Sequence, residues 1–411
     1  MKHKMIILLL FGLLFLAMFR FTNSALASTT IIVDPGEFIQ DAINIAQAGD
    51  TILIKKGTYY EYPIFVNKSV TILGESKEET IIDGEGNAAN TVILNVLAND
   101  VKIRNLTVQN TAGGIFPPVH IGIQITAVQE VEISDCIIKN CEKNLRLGGS
   151  QNAKILRNNI TQALSPGYGI HLDEGSENNL IMDNYIANNP IGIQVETTAI
   201  NNKIYHNNFV DNGIDRFGGA SNSWDNGYPS GGNYWSKHTS QDLKSGLYRN
   251  ETGSDGIADS VYDFDDYPLM GPIHTFWAGN WGGDFYVSIS TNSTEISNFQ
   301  FSNATYTLQF DAVGSASQHG FSRVIIPTTL LWIGEGEQWV VKTNGTTVSP
   351  NVREDPWFTY VYINYSHSTI TIETIGTHAI PEITMPILIT IVLVTISTQL
   401  ILKKKSKRKI V

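Results

Sequence analysis

Cysteine is almost missing from this chain: two residues in 411, Cys136 and Cys141. A fold built on disulfides is excluded. The spacing of the pair leaves two states open, a local disulfide or two reduced thiols filling interior positions. Methionine is sparse as well. Met1, Met5, Met18 and Met385 stand in terminal apolar runs, which leaves Met182 and Met270 scattered through the body. Positive charge is in deficit, 28 Lys and Arg against 39 Asp and Glu, for a formal net charge of −11. Three of those bases lie in residues 1–27 and six in the terminal "KKKSKRK", so the chain between them carries about −20. Such a surface repels nucleic acid and draws no polyanionic glycan without bridging cations. It suits an extracellular domain, or one that gathers divalent cations.

Long apolar runs are confined to the two ends. Residues 1–27 carry Lys2 and Lys4, then "MIILLLFGLLFLAMF", then "ALA" before Ser28. This is the layout of a signal peptide cleaved after Ala27. The uncharged run "ITMPILITIVLVTISTQLIL", 383–402, would make a helix about 30 Å long, enough to span a bilayer. The basic segment 403–411 would then stay on the cytoplasmic side. The expectation is a single-pass cell-membrane protein with its bulk outside. The sequons at Asn67, Asn105, Asn159, Asn250, Asn292, Asn303, Asn344 and Asn364 fit an exported, glycosylated chain.

What the body does have is a beat. Gly122-Ile-Gln-Ile, Asn144-Leu-Arg-Leu, Gly169-Ile-His-Leu and Gly192-Ile-Gln-Val recur every 22–25 residues, with a frayed copy at Gly213-Ile-Asp-Arg. Between them run paired apolar positions: Ile103/Val108, Ile133/Ile138, Ile155/Ile160, Ile181/Ile186 and Ile204/Phe209. Each pair is followed by an amide or acid, Asn110, Asn140, Gln162, Asn188 or Asp211, and Asn158, Asn184 and Asn207 recur within the last three copies. Alternation inside each triplet is strand periodicity. A coil this short cannot bury its apolar face unless it stacks on neighbours. The Leu-x-x-Leu-x-Leu frame of leucine-rich repeats is missing. The pattern predicts an all-β chain, a right-handed parallel β-helix over 28–275, with the Asn positions at its bends.

Ahead of the coils, Ile39, Ala42, Ile43 and Ala46 fall on one face of a short helix stopped by Gly49, suited to covering the open first coil. This opening, "FIQDAINIAQAGDTILIKKGTYYEYPIF", resembles the N-terminus of pectin-lyase-like β-helix proteins. The coils resemble the NosD-like (periplasmic copper-binding) group. Residues 221–273, "SNSWDNGYPSGGNYWSKHTS…TGSDGIADSVYDFDDYPLMGPI", resemble the stretch after the coils in prokaryotic, notably archaeal, surface members of that group. The resemblance spans roughly residues 30–275 and speaks to fold far more than to activity. Beyond it, short β-branched and aromatic strands over 282–379 predict an immunoglobulin-like β-sandwich.

Outward positions of the triplets would stack into a ladder of Gln124, Arg146, His171, Gln194 and Asp215, with Asp173, Glu174 and Glu196 beside it. His171, Asp173, Glu174, Glu196 and Arg146 are therefore the candidates for acid–base chemistry. Against catalysis, no Gly-His-Gly, no Asp-Asp pair within the coils and no Arg-x-Pro-x-x-Arg occurs, so polygalacturonase-like and pectate-lyase-like sites find no match. Copper handling, which the NosD resemblance implies, wants clustered Cys, Met and His; His120, His171 and His206 stand in separate repeats. The acids Glu251, Asp255 and Asp259, with Gly256 at a turn, partly match an oxygen-rich calcium loop, though Gly253 stands where a further acid would be. The reading is a non-catalytic surface protein offering its ladder to an extracellular glycan, envelope component or surface protein. The alternatives are a polysaccharide-active lyase, hydrolase or epimerase, and NosD-like metal handling.

Overall fold

The computed structural model describes residues 28–86, 92–112, 119–316, 319–366 and 368–380. The segments read as signal peptide, membrane span and basic tail lie outside these residues. Among the described residues no helix is long and apolar enough to cross a membrane.

The repeats form a parallel β-helix of three sheets. The first holds Glu132–Ser134, Lys154–Leu156, Leu180–Met182 and Lys203–Tyr205, the second Ile137–Lys139, Asn159–Thr161, Tyr185–Ala187 and Asn208–Val210. The third runs through Ile121–Thr126, Lys143–Gly148, Tyr168–Leu172, Ile191–Val195 and Ile214–Gly218. Like stacks on like. Ile133, Ile155, Ile181 and Ile204 align rung for rung and are fully buried, as are Ile138, Ile160, Ile186 and Phe209. Glycine opens the triplets because the coils approach closely there. A Cβ at Gly169 would lie 2.6 Å from the Gly192 carbonyl oxygen, and one at Gly192 would lie 2.5 Å from that of Asp215.

The polar repeats divide into two kinds. Asn110, Asn140, Gln162, Asn188 and Asp211 take the left-handed conformation, φ between 50° and 65°, at one corner. Asn158, Asn184 and Asn207 do not. They turn inward and, with Asn233, build an amide ladder in which the Oδ1 of Asn184, Asn207 and Asn233 accepts the backbone and side-chain N–H of the preceding Asn at 2.9–3.1 Å. Each Nδ2 in turn reaches back to a carbonyl of Ile133, Ile155 or Ile181. Buried corners thus keep their polar groups paired. Cys136 and Cys141 are both free and buried in the coil interior, where burial pushes their thiols up to about 12.

The helix Ile39–Ile45 lays buried Ile39, Ala42 and Ile43 on the first coil. At the other end Trp235 stacks on Phe209 at 4.3 Å, with Trp224 alongside. The larger antiparallel sheets begin at Ile273–Asn280, ahead of residue 282, because this stretch pairs with Asp284–Thr291. Two five-stranded antiparallel sheets follow and share one core of Val287, Phe310, Val324, Val361 and Ile372. Arg323, buried, joins them to the loops after the solenoid: its guanidinium donates to the carbonyls of Pro229, Ser230 and Asp255 and lies over the Tyr360 ring.

Candidate functional site

The third sheet carries the outward rungs. Gln124, Arg146, His171 and Gln194 are in register, as expected. Asp215 is not. The rung opposite Gln194 is Phe217, and Asp215 is buried. The last coil sits two residues off the frame that the sequence suggested, because Asn212 accepts from the backbone and side chain of Asn189, continuing a second amide ladder. That ladder fixes the register and places Asp215 opposite Gly192.

Four of the five catalytic candidates come together. Arg146 donates to Asp173 through Nε at 2.9 Å and also through Nη2, and its Nη1 reaches Gln124 Oε1 at 3.1 Å. Lys143 Nζ lies 2.8 Å from His171 Nδ1. An ammonium can only donate, so Nδ1 accepts and Nε2 carries the hydrogen toward Glu196 Oε1, 3.1 Å away. Gln194 Nε2 donates to the same oxygen at 3.2 Å. Glu174 is exposed and gives the cluster only its backbone N–H, which Asp173 Oδ1 accepts. Lys143 was not singled out in the sequence; its signal was position, since it opens the strand that carries Arg146.

Burial, reinforced by the Lys143 charge, holds His171 below the usual imidazole range. Burial also lowers Lys143, with Arg146 adding to it. Burial is the largest single influence on Asp173 and opposes ionisation, but the Arg146 hydrogen bond, the Glu174 N–H and the neighbouring positive charge together hold it low. The cluster is a self-neutralising network at neutral pH.

Single ligand atoms of His171, Asp173 and Glu196 lie within 4.8 Å of one another. The donor set is one imidazole and two carboxylates, with Arg146 already on Asp173 and Lys143 on the imidazole. Two cations so placed oppose a third. Copper fits poorly here, and the buried thiols of Cys136 and Cys141 offer no thiolate. Among the described residues Glu251, Asp255 and Asp259 do not form a group of three with ligand atoms within 4.8 Å of one another. Glu251 pairs with Arg353, Asp255 is buried beside Arg323, and Asp259 accepts the backbone N–H groups of Leu243 and Lys244. Glu251 and Asp259 thus have protein partners, whereas Asp255 Oδ2 has none, and Asp255 and Asp259 both lie near Asp242.

Next to Glu196 the surface opens into a cavity of about 420 Å³ walled by Gln194, Glu196, Arg216, Phe217, Ser221 and Phe264. Phe217 and Phe264 are 55% and 45% exposed. Arg216, paired with Asp263, stacks over the Phe264 ring at 4.2 Å. Sequence reasoning missed this wall because it comes from the non-repeating last coil and a distant loop.

These coils define a parallel β-helix. Within it, residues 120–240 match the family model described as periplasmic copper-binding protein (NosD). No curated protein sequence matches the chain. Similar solved structures include the catalytic domain of a GH87 alpha-1,3-glucanase in complex with tetrasaccharides, at 18% identity and TM-score 0.39, covering 50% of this chain and 38% of that one. A pectin methylesterase from carrot has 13% identity and TM-score 0.33, covering 50% and 70%. The PL6 alginate lyase AlyGC has 14% identity and TM-score 0.30, covering 50% and 34%. The chain therefore spans well under half the length of the glucanase and the alginate lyase.

Proposed function

We propose that this chain is a non-catalytic, membrane-anchored surface protein, a right-handed β-helix with an immunoglobulin-like sandwich, that binds an extracellular carbohydrate at the end of its third sheet. The observation that carries this is the cavity beside Glu196, where two exposed aromatic rings stand next to amide, carboxylate and guanidinium groups. Sugar rings present apolar C–H faces to aromatics and hydroxyls to such polar edges. The mutual pairing of Arg146 with Asp173 and of Lys143 with His171 supports a recognition surface over a reaction centre. The 383–402 run and its basic tail support anchorage.

A glycan array probed with the full chain tests the reading. Phe217→Ala and Phe264→Ala should each weaken capture by about tenfold, the equivalent of 1.4 kcal/mol. Equal capture by wild type and both variants would sink it. The convergence of His171, Asp173 and Glu196 favours a second reading, a polysaccharide-active enzyme. Turnover of a captured glycan, abolished by His171→Ala while binding persists, would establish that reading instead.

A further inference from the structure

A second cavity lies where the solenoid meets the antiparallel sheets. It has a volume of about 470 Å³, and its walls include Arg157, Asn159, Asp183, Tyr185, Tyr234 and His274. A smaller cavity of about 220 Å³ shares Arg157 and Asp183 with it. Asn159, Tyr185 and Tyr234 stand on outward rungs of the second sheet, Tyr185 between Asn159 and Asn208, and Tyr234 one coil beyond. Asp183 occupies the left-handed corner two residues before Tyr185, with φ 60°.

The unusual group is Asp183. Its Oδ1 is shielded from solvent and accepts no hydrogen bond. Arg157 does not supply one, because Nε and Nη2 grip the two carboxylate oxygens of Asp135 at 2.9 Å each, and the guanidinium lies over the Tyr286 ring at 4.0 Å. The Thr275 hydroxyl lies near this carboxylate but leaves Oδ1 unpaired; a shielded carboxylate oxygen without a donor is costly and points to a further partner.

We propose that this inter-domain cleft is a second carbohydrate site, taking one neutral sugar unit with its apolar face on Tyr185 and a hydroxyl donated to Asp183 Oδ1. Neutrality follows from the lining: Asp135 already balances Arg157, and the walls carry one further charge of each sign, Lys77 and Asp183. An ionic ligand of either sign would meet a like charge. Asn159 and His274 supply further donors and acceptors, and Tyr185, 39% exposed, offers the ring face. Nothing in this site overlaps the Phe217 cavity.

The test is calorimetric binding of maltose, cellobiose and chitobiose to the unglycosylated full chain and to Phe217→Ala, Asp183→Asn and Tyr185→Ala. Binding of at least one disaccharide should survive Phe217→Ala and weaken tenfold or more in both Asp183→Asn and Tyr185→Ala. Tyr185→Ala guards against misfolding, since its ring is on the surface. Loss of all binding in Phe217→Ala would overturn the cleft site and leave only the sheet-end site. Indifference to Asp183→Asn and Tyr185→Ala, or no binding by wild type, would overturn it as well.

Discussion

Asn208 and Ile273 exchange two hydrogen bonds that tie the solenoid to the first antiparallel strand. The Asn208 Nδ2 donates to the Ile273 carbonyl at 2.7 Å, and its Oδ1 accepts the Ile273 N–H at 2.8 Å. A side-chain amide thereby pairs a backbone group in both directions, at a buried position. Asn208→Leu should strand both backbone groups at a cost of about 2–4 kcal/mol, measured by urea unfolding. A change within a few tenths would mean that the two parts hold together by other contacts.

The inward and outward faces of one coil should differ sharply. Ile181 is stacked between Ile155 and Ile204 with no exposure, so Ile181→Asp should cost several kcal/mol and loosen adjacent coils. His171 faces outward but is only 6% exposed, covered by Lys143 and Glu196. His171→Gln keeps a donor and an acceptor and should cost about 1 kcal/mol or less. His171→Asp should cost more, because it would meet Glu196 and Asp173. Hydrogen exchange across neighbouring coils would register the spread.

Arg323 should be the most sensitive single position of the junction. Arg323→Met leaves the carbonyls of Pro229 and Asp255 without a donor, that of Ser230 with His206 Nε2 alone, and the Asp255 carboxylate without its cation. A loss of about 3–5 kcal/mol is expected. Adding Asp255→Asn should recover part of it, since the uncompensated charge is then gone. Strict additivity of the two changes in a double-mutant cycle would argue against the pairing.

His206 gives a stability slope on the acid side. Burial is the main cause that lowers it from 6.5 to about 4. The unfolded chain therefore takes up a proton below pH 6.5 that the folded chain refuses until about pH 4. Stability from this group falls as pH drops through that window, by about 3 kcal/mol in total. Asp183, Asp242 and Asp265, raised by burial to about 7, act oppositely and lose stability as pH rises from 3.8 to 7. The whole-chain profile blends the two. His206→Asn suits the φ of 56° at this corner and does not titrate. The difference between wild type and this variant should shrink by about 3 kcal/mol between pH 7 and pH 4.

The sequence by itself determined the solenoid. Stacked coils require the same residue at the same place in each turn, so Ile155, Ile181 and Ile204 had to recur, and their period reads as directly as their burial. The left-handed corners at Asn110, Asn140 and Asn188 were legible for the same reason, as were the cap helix and part of the antiparallel strands, though not Ile273–Asn280. Tertiary structure alone decided how the non-repeating parts meet. The Asn189–Asn212 ladder, not the Gly-x-x-x beat, set the register of the last coil and moved Phe217 onto the outer rung. Long-range partners tied Glu251 to Arg353, drew Arg323 onto the loops after the solenoid, and set Lys143 against His171. Periodicity is a local signal repeated many times, whereas such pairings each occur once, between segments whose spacing in the chain says nothing of their distance in the fold.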